Sequence, residues 1–287
     1  MSTLSVSVLV ASVAGDGSLS ALLASLRAQV DHEVVVADRT GGGDGPKEGV
    51  AWVDAPPETS IPALRSLALS HATGDLVVVV EDHCIAPPGW LERLVAPLRS
   101  HPDAVLSAGP VRDVLDGSPT DRAAFLCDYA PFLPGGLLAP PPGMNTAYRA
   151  TALREALDSI DGETFWEGPV HRRLARRGTL ARADDAVLGH SKAFPMPLGV
   201  EQRYLQGRHF GAWRTQGLPA RARTVVAGAS LGMAPLLTAR TLRAGLRGGA
   251  SDVVGLTPLV ALLHLAGTVG EAVGALLGGG DALGRIV

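Results

Sequence analysis

The sequence predicts an α/β fold in which a mostly parallel central sheet carries helices on both faces. Runs of β-branched and other apolar residues predict buried strands at residues 4–10, 34–37 and 76–80. Between these strands, apolar residues recur at helical spacing in 19–26 and 64–68. Strands that alternate with helices in this way indicate parallel pairing.

Capping residues and loops agree with these elements. Asp16 or Ser18 can cap the first helix, and Ser60 can cap the second. Residues 41–46 are too rich in glycine for a regular element and predict a loop.

Beyond residue 100 the pattern is weaker. Strands are predicted at 105–108 and 186–188, and helices at 150–157 and 170–177. A Pro/Gly-rich loop at 131–142 is long enough to be functional.

Composition bounds the class of protein. The chain has 287 residues, enough for one large core and an appendage. Aromatic residues make up only 4% of the chain, so the core must be aliphatic. The net charge of −3 and the absence of a basic run interleaved with aromatics argue against a nucleic-acid partner. Two cysteines without metal-ligand spacing, and no recognisable signal peptide, are consistent with the cytosol.

A polar triplet follows the strand at 76–80. Glu81, Asp82 and His83 come at its carboxyl end, where open α/β sheets bind their ligands. Carboxylate and imidazole side chains at such an edge can hold a divalent cation against a phosphate. The local alternative is a solvated acidic turn.

Two enzyme interpretations fit these features. Residues 15–20 form an imperfect GxGxxG segment after the first strand, and Asp38 ends the second strand. This pair predicts a Rossmann-type NAD(P)-dependent oxidoreductase. That interpretation leaves the triplet at 81–83 unexplained.

The other interpretation is a resemblance carried by motifs along nearly the whole chain. They are Ala63-Leu64-Arg65-Ser66 with Ala72-Thr73-Gly74-Asp75, Glu81-Asp82-His83, Pro87-Pro88-Gly89-Trp90-Leu91, Gly143-Met144-Asn145-Thr146-Ala147-Tyr148-Arg149, Trp166-Glu167 and Gln206-Gly207-Arg208. In this order and spacing they resemble a family 2 glycosyltransferase, which implies the GT-A fold, a Rossmann-like α/β architecture. The C-terminal region resembles the membrane-associated helices of bacterial members of this family.

The resemblance implies an inverting glycosyltransferase that moves a sugar from a nucleotide-sugar donor to a lipid-linked or cell-envelope acceptor. It implies that Mn²⁺ or Mg²⁺ is bound by Glu81, His83 and His190, and that Glu167 is the catalytic base. The residues implied to bind the nucleotide sugar are Ala11, Asp38, Arg65, Asp82, Asn145 and Arg208.

Departures from the family pattern keep alternatives open. Glu81 and His83 stand where the family usually has two aspartates, and Mn²⁺ tolerates imidazole better than Mg²⁺ does. The non-standard triplet also allows a degenerate subunit that binds nucleotide or lipid without catalysis. Taken singly, Asp38 can be a loop cap, His190 a hydrogen-bonded strand-end histidine, and Arg65 the partner of a nearby acid.

The C-terminal region differs in composition from the rest. Residues 225–239 and 253–270 contain no charge, and arginines border them. Apolar helices with flanking arginines predict a region that lies on, or partly in, the inner face of the cytoplasmic membrane. A helical cap on the enzyme itself or on a second subunit is the alternative. The predicted domains are a GT-A domain at 1–222 and a membrane-associated helical region at 223–287.

Overall fold

The structure is a computed structural model that describes residues 4–13, 17–41, 49–136, 140–158 and 165–287. Two compact units divide the chain. The first comprises Met1–Val114 and Leu137–Ser191, and the second comprises Leu115–Gly136 and Lys192–Val287. The predicted cap Asp16, most of the glycine-rich loop at 41–46 and the start of the GxGxxG segment lie outside the described residues.

The first unit contains the strands and five helices of the described chain. The strands are β1 Val6–Ser12, β2 Glu33–Asp38, β3 Val50–Asp54, β4 Leu76–Glu81, β5 Cys84–Ile85, β6 Ala104–Ala108, β7 Val111–Asp113, β8 Thr146–Arg149, β9 Thr179–Arg182 and β10 Leu188–His190. The helices of this unit are α1 Ser18–Leu26, α2 Ile61–His71, α3 Trp90–Ser100, α5 Ala150–Asp158 and α6 Glu167–Leu174. Helix α1 has Gly17 at its N-cap without a side-chain bond, so the predicted Ser18 cap is wrong. The predicted cap Ser60 is confirmed, because its side chain accepts from the Ala63 amide.

The described strands form a large mixed sheet and a small one. The large sheet has the order β3-β2-β1-β4-β8-β6-β9, and only β8 runs antiparallel to its neighbours. This confirms the predicted α/β class with a mostly parallel sheet. Helix α2 packs on one face of β1 and β2, and α3 covers the other face at β6 and β8. The small sheet has the order β5-β10-β7.

The register of the parallel strands determines where the site forms. Ser12 on β1 pairs with Asp38 on β2, and Ala11 pairs with Glu81 on β4. The three strands are buried along nearly their whole length, so their alignment is held by apolar packing on both faces. The carboxyl ends of β1, β2 and β4 therefore meet at one edge of the sheet.

The second unit is helical. Its helices are α4 Pro119–Tyr129, α7 Met196–Arg214, α8 Ala220–Leu231, α9 Ala234–Arg247 and α10 Thr257–Leu277. Glycines bring α7 and α10 into backbone contact, since a Cβ on Gly207 would overlap the carbonyl of Gly267. The boundary predicted after residue 222 rests on a change in amino-acid composition. In the structure, α7 packs in the same unit as α10, so that this unit also contains residues before 222.

Among the described residues, α10 has the length and composition of a membrane span. Its most apolar 18-residue window is 44% buried in the protein. Helices α8 and α9 reach the length and composition of a membrane span only when taken together, and they are bent by 48° at their junction.

Candidate active site

Strand pairing brings the predicted metal ligands together. Glu81 ends β4, and His83 lies between β4 and β5. Strand β10 pairs antiparallel with β5, so that His190 lies opposite Cys84. A contact between residues 107 positions apart thus results from two short strands beside the end of β4.

Three ligand atoms of these residues converge. Nε2 of His83 lies 3.1 Å from Oε2 of Glu81 and 3.1 Å from Nε2 of His190. One ligand atom from each residue lies within 4.8 Å of the other two. Two ligands at right angles on a cation, each at about 2.1 Å, are about 3.0 Å apart. The spacing therefore fits a divalent cation.

Asp82 orients one of these histidines. Its Oδ1 lies 2.9 Å from Nδ1 of His83, and its Oδ2 accepts the amide of Val13 at 2.7 Å. An ionised carboxylate only accepts, so Nδ1 of His83 carries a proton, and in the neutral imidazole Nε2 presents its lone pair to the cluster. Carboxylate–histidine pairs of this kind are typical second-layer partners of metal sites.

The electrostatics favour an ionised Glu81. When His83 and His190 are protonated, burial opposes the charge of Glu81, but the hydrogen bond from His83 and the positive charges of His83, Arg65 and His190 outweigh it. Together they hold the pKa of Glu81 well below its usual range. This residue is therefore a carboxylate, the form that binds a cation.

Arg65 joins the cluster to the predicted base. Its Nη1 donates to Oε2 of Glu167 at 2.8 Å, and its Nη2 donates to Oε1 of Glu81 at 3.5 Å. The Arg65 side chain is only 5% exposed, so these carboxylates balance a buried charge. The resemblance implied that Arg65 binds the nucleotide, and the alternative was that it pairs with a nearby acid. In the structure its side chain pairs with two acids.

Glu167 is the more accessible end of this chain of ion pairs. Its side chain is 31% exposed, and it begins α6 immediately after Trp166. Gly143 lies against its carboxylate, since a Cβ there would come within 2.6 Å of Oε1. Glycine at this position therefore leaves room for the Glu167 carboxylate.

Two buried residues beside Glu167 were not singled out from the sequence. The hydroxyl of Tyr148, on β8, lies 2.8 Å from Nε2 of His171, four residues after Glu167 on α6. Burial, supported by Glu167, raises the pKa of Tyr148 well above its usual range. Burial lowers the pKa of His171 to about 4. Both side chains are therefore neutral at pH 7, and their bond fixes α6 to the sheet.

Asp38 presents a buried acceptor at the same sheet edge. Its Oδ1 accepts from the amide of Thr40 at 3.2 Å and from its hydroxyl at 2.8 Å. Its Oδ2 is buried and has no hydrogen-bond partner among the described residues. Buried acceptors are rarely left unsatisfied, which suits a donor group from a ligand. Ala11, one strand away, is buried and offers only backbone and a methyl group there.

A buried arginine follows Asp38 and was also missed. Arg39 is 6% exposed, and its Nη1 donates to the carbonyl of Thr59 at 2.9 Å. Burial lowers the pKa of Arg39, and the Asp82 carboxylate opposes this shift. The edge thus contains a second cation in addition to Arg65.

Two predicted donor-binding residues have their side chains engaged within the protein. The Asn145 amide donates to the carbonyls of Pro110 and Ala186 and accepts from Trp90. Asn145 is fully buried, so it shapes the loops around the site rather than presenting its amide to a donor. Arg208 lies in the second unit, where its Nε donates to the carbonyl of Gly278 at 3.2 Å.

Comparison with known proteins gives the same assignment of fold. Residues 61–160 match the sequence model of the family Glycosyl transferase family 2. The mannosyltransferase PcManGT from Pyrobaculum calidifontis, solved with GDP-Man and Mn²⁺, is similar with a TM-score of 0.56 and 18% identity, over 96% of this chain and 88% of that one. The chain has the GT-A fold. The predicted fold class is thereby confirmed.

Two further proteins are similar to this chain. The S. aureus TarS structure matches with a TM-score of 0.51 and 14% identity, over 91% of this chain and 55% of that one. Polypeptide N-acetylgalactosaminyltransferase 11 of Xenopus tropicalis is 30% identical over 112 residues, which are 35% of this chain. The match spans only 18% of that relative. A GT-A fold with a family 2 segment favours the glycosyltransferase interpretation over the dinucleotide-binding one.

Proposed function

We propose that this chain is an inverting, metal-dependent glycosyltransferase acting on a nucleotide-sugar donor. The observation that carries the proposal is the convergence of Glu81, His83 and His190 at the carboxyl edge of the sheet, with Arg65 linking this cluster to Glu167. The family 2 match over residues 61–160 supports the same reaction class.

Glu81, His83 and His190 would hold the cation. Mn²⁺ suits this set better than Mg²⁺, because it accepts imidazole nitrogen more readily. The chemistry supplied by such a cation is neutralisation of the charge that develops on the departing diphosphate. Asp82 keeps His83 in the tautomer that the site needs.

Glu167 would act as the base. It is exposed enough to meet an acceptor hydroxyl, and its carboxylate accepts the proton as that oxygen attacks the anomeric carbon. Attack from the face opposite the leaving diphosphate inverts the configuration. Arg65 holds one carboxylate oxygen and so orients the other toward the acceptor.

The remaining residues at the edge would bind the nucleotide. Oδ2 of Asp38 would accept a hydrogen bond from the base or ribose, and Ala11 allows close approach of the donor. The acceptor that we propose is lipid-linked or part of the cell envelope, because the C-terminal helices expose many large apolar side chains.

Calorimetric titration tests the proposal. MnCl₂ with UDP or GDP is titrated into the protein, and UDP-, GDP- and dTDP-sugars are then screened for donor hydrolysis. We expect diphosphate binding that requires Mn²⁺. The variant His83→Asn should lose the Mn²⁺-dependent diphosphate binding, whereas His101→Asn, at an exposed histidine, should retain it.

A second pair of variants tests the base. Glu167→Gln should retain donor binding and lose about a hundredfold or more in transfer rate. Glu92→Gln, at an exposed glutamate of α3, is the matched control. Diphosphate binding that ignores Mn²⁺ would indicate the degenerate subunit, and binding of NAD instead would indicate the oxidoreductase.

A further inference from the structure

Exposed apolar side chains are concentrated in the second unit. Among the described residues, thirteen of the fifteen exposed large apolar side chains lie between Phe210 and Leu277. Val225 is 72% exposed and Leu277 is 77% exposed. Large contiguous apolar surfaces mark sites of interaction, because water solvates them poorly.

Helices α8 and α9 both turn such a face outward. On α8, Ala227 packs on Ala272 and Ala275 of α10, while Val225 and Leu231 are exposed. Along α9, Thr241 bonds His264 of α10, so that the opposite face, with Leu236 and Leu246, is exposed. Both helices therefore use one face to pack on α10 and leave an apolar face uncovered in this unit.

The charge on these two helices has one sign. Residues 220–247 contain five arginines and no acidic residue. Arg223 donates to the carbonyls of Ala275 and Leu276 at the end of α10. The other four are exposed and form no ion pair with any described residue: Arg221, Arg240, Arg243 and Arg247.

Acidic residues elsewhere in the unit do not balance this charge. Between residues 192 and 287 the acids are Glu201, Asp252, Glu271 and Asp281, and each is paired with an arginine outside α8 and α9. In the segment 115–136 of the same unit, Asp128 pairs with Arg203 and Asp121 accepts hydrogen bonds from Ser118 and Phe194, which leaves the exposed Asp116 against four exposed arginines. The field of the exposed face is therefore positive. Its partner must be both apolar and anionic.

Aromatic side chains lie where α7 and α10 end. Phe210 and Trp213 stack with their ring centroids 5.9 Å apart, and both are exposed. Leu276 and Leu277 are exposed at the end of α10, which Arg223 ties to α8. Exposed Trp and Phe beside arginine are typical of helices that lie in the headgroup region of a bilayer.

We propose that α8, α9 and the end of α10 form a docking surface for an anionic phospholipid bilayer. A second copy of the chain fits poorly, since a two-fold contact would oppose the arginines of one copy to those of the other. A bilayer supplies an apolar layer and phosphate charge at the same depth. The proposal does not depend on transferase activity, because docking is measured without donor.

Vesicle sedimentation of the full chain tests this surface. We expect the protein to bind vesicles made of equal parts phosphatidylglycerol and phosphatidylcholine, more weakly at high salt, and to bind pure phosphatidylcholine poorly. The triple variant Arg240→Gln, Arg243→Gln, Arg247→Gln should bind the anionic vesicles roughly a hundredfold more weakly. The matched control, with Arg27, Arg112 and Arg176 of the first unit changed to Gln, should bind like the unchanged protein.

A second variant tests the apolar part. Changing Val225, Leu231 and Leu236 to Ser should weaken binding roughly tenfold or more, and high salt should not change that ratio. Circular dichroism establishes that each variant is folded. Equal binding to both kinds of vesicle, unchanged binding of the arginine variant, or self-association through this face without vesicle binding would overturn the proposal.

Discussion

Because the pKa of the buried His171 is lowered, we expect the stability of the fold to depend on pH. The position of Glu167 should depend on pH in the same way, since both residues lie on α6. Burial lowers the pKa of His171 to about 4, with Arg65 acting in the same direction, while Glu167 and the Pro141 backbone oppose the shift. The ordinary pKa of histidine is about 6.5. Between about pH 4 and about pH 6.5, His171 therefore binds a proton in the unfolded chain but not in the folded chain.

The sign and size of the effect follow from this difference. The contribution of His171 is complete above about pH 6.5, falls as the pH falls, and levels off below about pH 4. A difference of about 2.5 pKa units at about 1.4 kcal/mol each gives a loss of about 3 kcal/mol. His264 in the second unit, whose pKa burial also lowers to about 4, adds a similar loss.

Urea unfolding at a series of pH values measures this loss. We expect the free energy of unfolding to fall between about pH 6.5 and about pH 4, with transfer activity following as α6 loosens. His171→Gln keeps a hydrogen-bonding partner for Tyr148 but cannot titrate, so its curve should be flatter by about 3 kcal/mol. His101→Gln, at an exposed histidine, reports the effect of substitution itself. A His171→Gln curve parallel to that of the unchanged protein would refute the reasoning.

Two further predictions concern stability, one through helix packing and one through buried hydrogen bonds. Gly274→Ala places a Cβ into the carbonyl oxygen of Arg208 and should destabilise the α7–α10 pair by about 3 kcal/mol, whereas Gly228→Ala, with open space around it, should stabilise α8 by up to about 1 kcal/mol. Asn145→Ala removes three buried hydrogen bonds and should cost about 3 kcal/mol. Chemical unfolding measures all three, and equal effects of the two alanine substitutions at glycine would contradict the packing argument.

The sequence predicts the parallel half of the sheet well, because its signals are local. Strands β1, β2 and β4 are continuous apolar runs, and the intervening helix α2 has a Ser60 cap. Strand β8 carries no such signal, since it has only four residues and no continuous apolar run. It forms because it fills the space between β4 and β6 and pairs with both.

Boundaries in the weaker part of the chain are displaced for a similar reason. The helix predicted at 170–177 begins at Glu167 instead, and the strand predicted at 186–188 is found at Leu188–His190. Strands of two or three residues, such as β5 and β10, are held by pairing with each other rather than by their own composition. His190 could be assigned only by resemblance, because that pairing is not visible in the sequence.

Arg65 shows why motif position predicts a site better than it predicts each residue's contact. Its motif implies the nucleotide side, yet a guanidinium that is 5% exposed must be compensated by nearby carboxylates. Glu81 and Glu167 provide them from 16 and 102 residues away. The same arginine therefore links the proposed metal ligand to the proposed base. A substitution of one carboxylate should change the electrostatic environment of the other. That coupling arises from the balance of buried charge, which only the folded arrangement specifies.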